Sequence, residues 1–67
     1  VISKIESRMG LINLDEIISF SDQILIDRGD LSREIPIEEI PLIQKIIVKK
    51  CNKSNKPVYV ATNFLGK

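Results

Sequence analysis

The sequence predicts an α/β fold in which strands and helices alternate as β-α-β-α-β and the strands are parallel. Short β-branched runs alternate along the chain with apolar residues at helical spacing, and turn signals separate them. Hydrophobic residues, most of them Ile, Leu and Val, make up 43% of only 67 residues. That apolar content is typical of strands that are covered on two sides. We therefore expect the chain to be a fragment of a larger domain.

The three predicted strands differ in their signatures. Residues 1–6 alternate in character, which places Ile2, Lys4 and Glu6 on one face. Residues 24–26 form a short apolar run. Residues 58–61 are β-branched and aromatic and follow a turn signal at residues 54–57. Each run has the length of a strand in a layered α/β fold.

Two helical patterns lie between these strands. In the first, Leu11, Leu14, Ile17 and Ile18 recur at helical spacing, and Asn13 is placed to act as the N-cap. In the second, apolar residues recur at helical spacing at positions 42, 43, 46 and 47, and the next position on the same helix face is Lys50 or Cys51. The second helix also has a proline in its first turn and two glutamates before it, both favourable at a helix N-terminus: Pro41, Glu38 and Glu39.

This order of elements fits both an open doubly wound sheet and a closed barrel. In both architectures, functional residues collect at the carboxyl ends of the parallel strands. Here those ends fall at residues 4–6, at residues 28–30 and at residues 61–62.

Composition excludes several classes of protein. There is one cysteine and no histidine, so neither an intramolecular disulfide nor a His-based zinc site can form within the chain. A single unpaired cysteine fits a cytoplasmic location. The net charge of +1 and the lack of a long apolar run indicate neither nucleic-acid binding nor a membrane span. We interpret the cluster Lys45, Lys49, Lys50, Lys53 and Lys56 as a solvated helix face and not as a phosphate site.

The residues at the strand ends have the chemistry of a metal and anion site. Glu6 and Asp30 offer the oxygen ligands that Mg²⁺ or Mn²⁺ prefers. Lys4 points the same way as Glu6 and could stabilise developing negative charge. The N–H groups of Gly29 and Asp30 could hold an anion, and Thr62 offers a hydroxyl. Judged by the residues alone, Glu6 and Asp30 could equally be structural ion-pair partners, and Thr62 a helix N-cap.

A resemblance decides between these interpretations. The chain resembles pyruvate kinase, in the part that spans the sixth to eighth strands of its barrel domain. The matching runs cover nearly all of residues 1–67: Ser3-Lys4-Ile5-Glu6, Gly10, Asp15-Glu16-Ile17, Ser21-Asp22, Arg28-Gly29-Asp30-Leu31, Glu34-Ile35-Pro36, Pro41-Leu42-Ile43-Gln44-Lys45, Cys51-Asn52, Lys56-Pro57-Val58 and Ala61-Thr62. The resemblance implies a partial (β/α)₈ TIM barrel that transfers a phosphoryl group from phosphoenolpyruvate to ADP.

The resemblance also implies a role for each site residue. Lys4 stabilises the transferring phosphoryl group, and Glu6 and Asp30 hold the divalent metal. The backbone amides of Gly29 and Asp30 receive the substrate carboxylate, and Thr62 lies beside the substrate methylene carbon on the route of the proton. A family requirement for K⁺, with ligands outside this segment, and a homotetrameric full-length protein are implied as well.

The chain departs from the family pattern at several positions. Ser7 replaces the usual Asn, Asp27 replaces a small residue and adds negative charge near the metal, and Ser32 replaces a Gly. Asn63-Phe64 replaces Gln-Met after Thr62. These departures leave open a catalytically silent binding or regulatory module. A third alternative is a metal-dependent aldolase or lyase of the phosphoenolpyruvate/pyruvate barrel type. The run Ile5-Glu6-Ser7, followed by Gly10, resembles the local sequence of those enzymes.

Overall fold

A computed structural model describes residues 1–61 as one three-stranded parallel sheet in the order β1-β2-β3, with helices between the strands. The elements, in chain order, are β1 (Ile2–Ile5), α1 (Arg8–Ile12), α2 (Leu14–Phe20), β2 (Gln23–Asp27), α3 (Arg28–Leu31), a short 3-10 helix (Ile37–Glu39), α4 (Ile40–Lys53) and β3 (Val58–Ala61). The predicted α/β fold with parallel strands is confirmed.

The strand register divides the sheet into a helix-covered face and an open face. Ile24 and Ile26 of β2 are fully buried beneath the helices. On the opposite face, Lys4, Leu25 and Tyr59 form one row across the three strands, because Lys4 pairs with Leu25 and Leu25 with Tyr59. Tyr59 is 53% exposed there. The alternation of side chains along a strand therefore places Lys4 away from the core.

The core lies between the sheet and a single helix layer. Its buried members are Ile5, Leu14, Ile18, Ile24, Ile26, Leu31, Ile35, Ile40, Ile47 and Cys51. Helices α2 and α4 contact each other and contribute to this one cluster. A doubly wound sheet reverses its strand order and carries helices on both faces. Consecutive strand order with both helices on one face is the arrangement of a barrel wall.

The first helical pattern forms two helices where the sequence predicts one. Ser7 begins α1, and its Oγ accepts a hydrogen bond of 3.2 Å from the N–H of Gly10. Asn13 holds the predicted N-cap position of α2, but its side chain makes no capping hydrogen bond there, since its Nδ2 donates to the carbonyl of Met9 at 3.1 Å. Asn13 is the residue that ends α1 as well as the one that precedes α2, and its side chain serves the earlier helix.

The second helical pattern is confirmed as α4, with Pro41 in its first turn. Two short elements, α3 and the 3-10 helix, were not predicted because neither is long enough to show a hydrophobic period. The predicted middle strand is longer than its apolar run by one residue at each end, since Gln23 and Asp27 also pair. None of the helices in residues 1–61 has the length and apolar content that crossing a membrane requires.

The lysine cluster on and after α4 includes two structural contacts. Lys50 Nζ lies 2.8 Å from Asp15 Oδ1 on α2, and Lys56 Nζ donates to the carbonyl of Ser21 at 2.7 Å. Ser21 is nearly fully buried, and its own hydroxyl donates to the carbonyl of Ile17 at 2.5 Å. These bonds attach α4 and the turn after it to the region around α2. The other three lysines, Lys45, Lys49 and Lys53, are exposed, as expected of a solvated face.

Candidate metal and anion site at the carboxyl ends of the strands

The parallel pairing of β1 with β2 brings two acidic residues to one edge of the sheet. Ile5 pairs with Ile26, so the residues that follow them, Glu6 and Asp27, lie next to each other at the carboxyl ends of their strands. The chain then turns into α3, which carries Asp30. Because this turn is tight, Asp30 returns to the same edge that Asp27 occupies. Two strand ends and one short helix therefore build the site.

Lys4 lies between two of these carboxylates. Its Nζ is 3.4 Å from Glu6 Oε1 and 3.5 Å from Asp27 Oδ2. The pKa of Lys4 is raised above its ordinary value, mainly by the hydrogen bond and charge of Glu6 and then by the charge of Asp27. Its side chain remains about half exposed, at 48%. Lys4 is therefore a fully protonated ammonium that a bound anion can reach.

Three carboxylates meet at this edge. Glu6, Asp27 and Asp30 each offer an oxygen, and these oxygens lie within 4.8 Å of one another. The sequence predicted Glu6 and Asp30 as a metal pair and placed Asp27 near them only as an extra charge. The signal that points to Asp27 is the strand alternation, since Gln23, Leu25 and Asp27 share the open face and Asp27 is the last of them.

The pKa values of Asp27 and Asp30 are shifted in opposite directions, for different reasons. The pKa of Asp27 is lowered, chiefly because Oδ1 accepts a hydrogen bond from the backbone N–H of Asp30 and also because Lys4 is close. The pKa of the Asp30 side chain is raised, first by the negative charge of Asp27, then by burial and by its contact with Glu6. Arg33, 3.8 Å from Asp30, offsets part of this repulsion. A cation held by Glu6 and Asp30 would offset more of this repulsion.

The donor set fits a hard divalent cation. Carboxylate oxygens are the ligands of Mg²⁺ and Mn²⁺, and Mg²⁺ is commonly held by one or two protein carboxylates while substrate and water complete its shell. Glu6 and Asp30 can supply those two carboxylates, because their oxygens already lie within 4.8 Å. The side chains at the edge also stay partly open to solvent, which leaves room for other ligands.

The start of α3 carries the two amides predicted to receive a substrate carboxylate. Gly29 and Asp30 lie in its first turn. The N–H of Asp30, however, donates to Asp27 Oδ1 at 3.1 Å within the chain itself. Ser32 closes the same turn by donating from its Oγ to the carbonyl of Gly29 at 2.7 Å. The predicted role of Thr62 lies outside the described residues.

A groove elsewhere on the surface does not coincide with this site. It runs along the outer side of α4, between Leu42 and Asn52. The groove is lined by apolar side chains and lysines of α4, and no acidic residue lines it. The edge that carries Lys4 and the carboxylates is open because three strands form only part of a barrel rim.

Comparison with known proteins gives one consistent family. The family model described as "Pyruvate kinase, barrel domain" matches residues 1–67. A pyruvate kinase of Geobacillus stearothermophilus is 52% identical over 65 residues, which are 97% of this chain and 11% of that protein. A chloroplastic pyruvate kinase isozyme G of Ricinus communis is 54% identical over 65 residues, which are 97% of this chain and 16% of that protein.

Comparison of structures agrees. The chain superposes on pyruvate kinase of Cryptosporidium parvum in complex with ADP with a TM-score of 0.87 and 54% identity. The match covers 91% of this chain and 12% of that one. The chain thus spans about a tenth to a sixth of the length of these relatives.

Proposed function

The chain belongs to the pyruvate kinase family, whose barrel-domain model it matches over residues 1–67, and we propose from this premise that it is a segment of a pyruvate kinase barrel. The proposed reaction is phosphoryl transfer from phosphoenolpyruvate to ADP, which gives pyruvate and ATP in glycolysis. The observation that carries the proposal is the position of Lys4 beside Glu6, at the edge where Asp30 also lies. A protonated amine next to a carboxylate pair is suited to a reaction in which charge moves between phosphate and enolate oxygens.

In this proposal each residue of the chain has a limited task. Lys4 places its ammonium against the transferring phosphoryl group, and Glu6 and Asp30 hold Mg²⁺ or Mn²⁺. Bound there, the metal supplies charge neutralisation at substrate oxygens. The Gly29 and Asp30 amides orient the substrate carboxylate, and Thr62 contributes to substrate binding and to the route of the proton. The electrostatic arrangement of these groups, and not a covalent step on the protein, lowers the barrier.

Family membership is also the basis for proposing a cation, an oligomeric state and a cellular location. We propose a requirement for K⁺ whose ligands lie outside residues 1–67, a homotetrameric full-length protein and a cytoplasmic location. The relative in complex with ADP supports a nucleotide substrate. A complete barrel takes about 250 residues, so three strand ends supply only part of an active site. We therefore expect the isolated chain to be inactive.

The test is made on the full-length protein that contains these residues. ATP formation from phosphoenolpyruvate and ADP is measured with Mg²⁺ and K⁺ present, for the wild type and for Lys4→Ala. The expected result is turnover in the wild type that falls to near background in Lys4→Ala. Wild-type activity no higher than that of Lys4→Ala would exclude the proposed function.

A catalytically silent binding module is the second candidate, and one contact favours it. The hydrogen bond from the Asp30 N–H to Asp27 occupies an amide that the reaction would need. Calorimetry with Mn²⁺ and oxalate separates the two candidates. Binding of both ligands with ATP formation at background would establish the silent module.

A further inference from the structure

Asp27 occupies two donors at the edge of the sheet at once. Its Oδ1 accepts a hydrogen bond of 3.1 Å from the backbone N–H of Asp30, and its Oδ2 lies 3.5 Å from the Nζ of Lys4. The Asp27 side chain is 23% exposed, so it is better shielded than the Lys4 and Asp30 side chains it touches. One internal carboxylate therefore connects the end of β1 to the start of α3.

The two donors that Asp27 occupies are the ones that an external carboxylate or phosphate would use. An ammonium and a backbone N–H at the same edge are strong partners for an anion, because charge-assisted hydrogen bonds are about twice as strong as neutral ones. Asp27 belongs to the same chain, so it competes for them at a high effective concentration. An anion that reaches both donors must displace Asp27 or share them with it.

We propose that Asp27 sets the anion affinity of this site by acting as an internal competitor. The carboxylate of Asp27 holds Lys4 and the Asp30 amide. An incoming small 2-oxo or enol acid displaces it from both, its carboxylate taking the Asp30 amide and its remaining oxygens facing Lys4. The identity of the anion rests on the proposed function. The competition itself rests on the two contacts of Asp27.

A role for Asp27 as a third metal ligand is less consistent with these contacts. Both of its oxygens already have donors, since Oδ1 faces the Asp30 N–H and Oδ2 faces Lys4. A metal bound to Asp27 would have to break one of these contacts and lie close to the Lys4 ammonium. The competitor role requires no such rearrangement before a ligand arrives.

Two substitutions separate the contributions of the two contacts. Asp27→Asn removes the charge that faces Lys4 but keeps an oxygen that accepts from the Asp30 N–H, as Asn does at a helix N-cap. Asp27→Ala removes both contacts. Asp22→Asn is the charge-matched control, because Asp22 is 79% exposed and precedes the opposite end of β2.

The experiment measures oxalate binding to the full-length protein by calorimetry. Mn²⁺ affinity is determined first for every variant, and oxalate is then titrated at saturating Mn²⁺. We expect Asp27→Asn to bind oxalate about two- to fivefold more tightly than wild type, which is the range of one exposed ion pair. Asp27→Ala should bind it at least as tightly as Asp27→Asn, and Asp22→Asn should match the wild type.

Two results would overturn the proposal. One is an unchanged oxalate affinity in both Asp27 variants. The other is a Mn²⁺ affinity that falls about tenfold or more together with weaker oxalate binding, since a loss of that size is expected when a metal ligand, or a group that orients one, is removed. Turnover of the wild-type protein is measured separately, so that the competitor role and the proposed reaction can fail independently.

If the wild type is inactive but the Asp27 variants bind oxalate more tightly, the competitor role is supported and the proposed reaction is excluded. If the wild type is active but oxalate affinity is unchanged in the Asp27 variants, only the competitor role is excluded.

Discussion

Arg8 and Glu34 are joined by two hydrogen bonds that connect the segment after β1 to the segment after α3. Glu34 Oε1 accepts from the backbone N–H of Arg8 at 2.8 Å, and the Arg8 guanidinium donates to the carbonyl of Glu34 at 2.6 Å. Glu6 lies just before Arg8, and Asp30 lies in the helix just before Glu34. The pair therefore fixes the separation of the two segments that carry the predicted metal ligands.

Removing the Glu34 side chain should loosen this connection. Glu34→Ala leaves the Arg8 N–H without its acceptor, at a cost of about 0.5–1 kcal/mol, because the bond is exposed and water can partly replace it. Glu34→Gln keeps an acceptor oxygen and should cost less than half as much. Thermal unfolding of the full-length protein and Mn²⁺ affinity are the measurements, and we expect Mn²⁺ to bind several-fold more weakly in Glu34→Ala alone. Equal effects of Ala and Gln would show that the charge of Glu34, and not its acceptor oxygen, matters.

Acid should release the start of α3 through Asp27. The pKa of Asp27 in the folded chain lies below its ordinary value of 3.8, chiefly because Oδ1 accepts from the Asp30 N–H. The stabilisation is therefore fully present above the ordinary pKa and is lost as the pH falls through the lower folded value. Asp27→Asn keeps an acceptor that does not titrate. We expect the hydrogen-exchange protection of the Asp30 amide to fall below about pH 4 in the wild type but much less in Asp27→Asn. An equal fall in both proteins would contradict this prediction.

Loss of the Lys4 charge should affect turnover and metal binding in opposite directions. Lys4→Met keeps much of the length of the side chain but removes the ammonium, and we expect kcat to fall by about 10²–10³-fold. Mn²⁺ should bind somewhat more tightly, because the cation that lies 3.4 Å from Glu6 is gone. Lys4→Arg, which retains the charge, should keep the wild-type Mn²⁺ affinity. If Lys4→Met weakened Mn²⁺ binding, Lys4 would be needed to position Glu6.

Cys51 should be unreactive in the folded protein. Its side chain has no exposed surface, and burial raises the pKa of its thiol. Both effects oppose alkylation, because the thiolate is the reactive form. We expect iodoacetamide at pH 8 to label Cys51 at least about 100-fold more slowly in the native full-length protein than in denaturant, as followed by peptide mass mapping. Cys51→Ala should destabilise less than Cys51→Ser, which buries a hydroxyl in the same apolar site. Rapid native labelling would show that α4 opens locally.

The isolated 67-residue chain should not behave as a stable monomer. Within residues 1–61 the sheet has an unpaired edge at β1 and another at β3, and its open face exposes Ile2 at 62% and Tyr59 at 53%. Unpaired edges beside exposed apolar side chains promote association. We expect light scattering to report oligomers and circular dichroism to show a broad thermal transition. A sharp, reversible melt of a monomer would contradict the view that these residues are a fragment.

Much of the fold could be predicted from the sequence because its signals are local. The β-branched run at Val58–Ala61 and the apolar period of α4 each report the structure of their own segment. The two short helical elements gave no such signal, since α3 has only four residues. The side chain of Asn13 could not be assigned either, because the same residue lies between two helices that compete for it.

The sequence by itself determined the alternation of strands and helices, the family and the candidates Lys4, Glu6 and Asp30. Only the tertiary structure decided which of these residues meet and what else joins them. Asp27 reaches Lys4 because Lys4 and Asp27 share the open face and the parallel register sets Ile5 beside Ile26. Arg8 and Glu34 are 26 positions apart and meet where the chain leaves β1 and α3. Such contacts depend on register and on how short helices turn the chain, and a local sequence pattern contains neither.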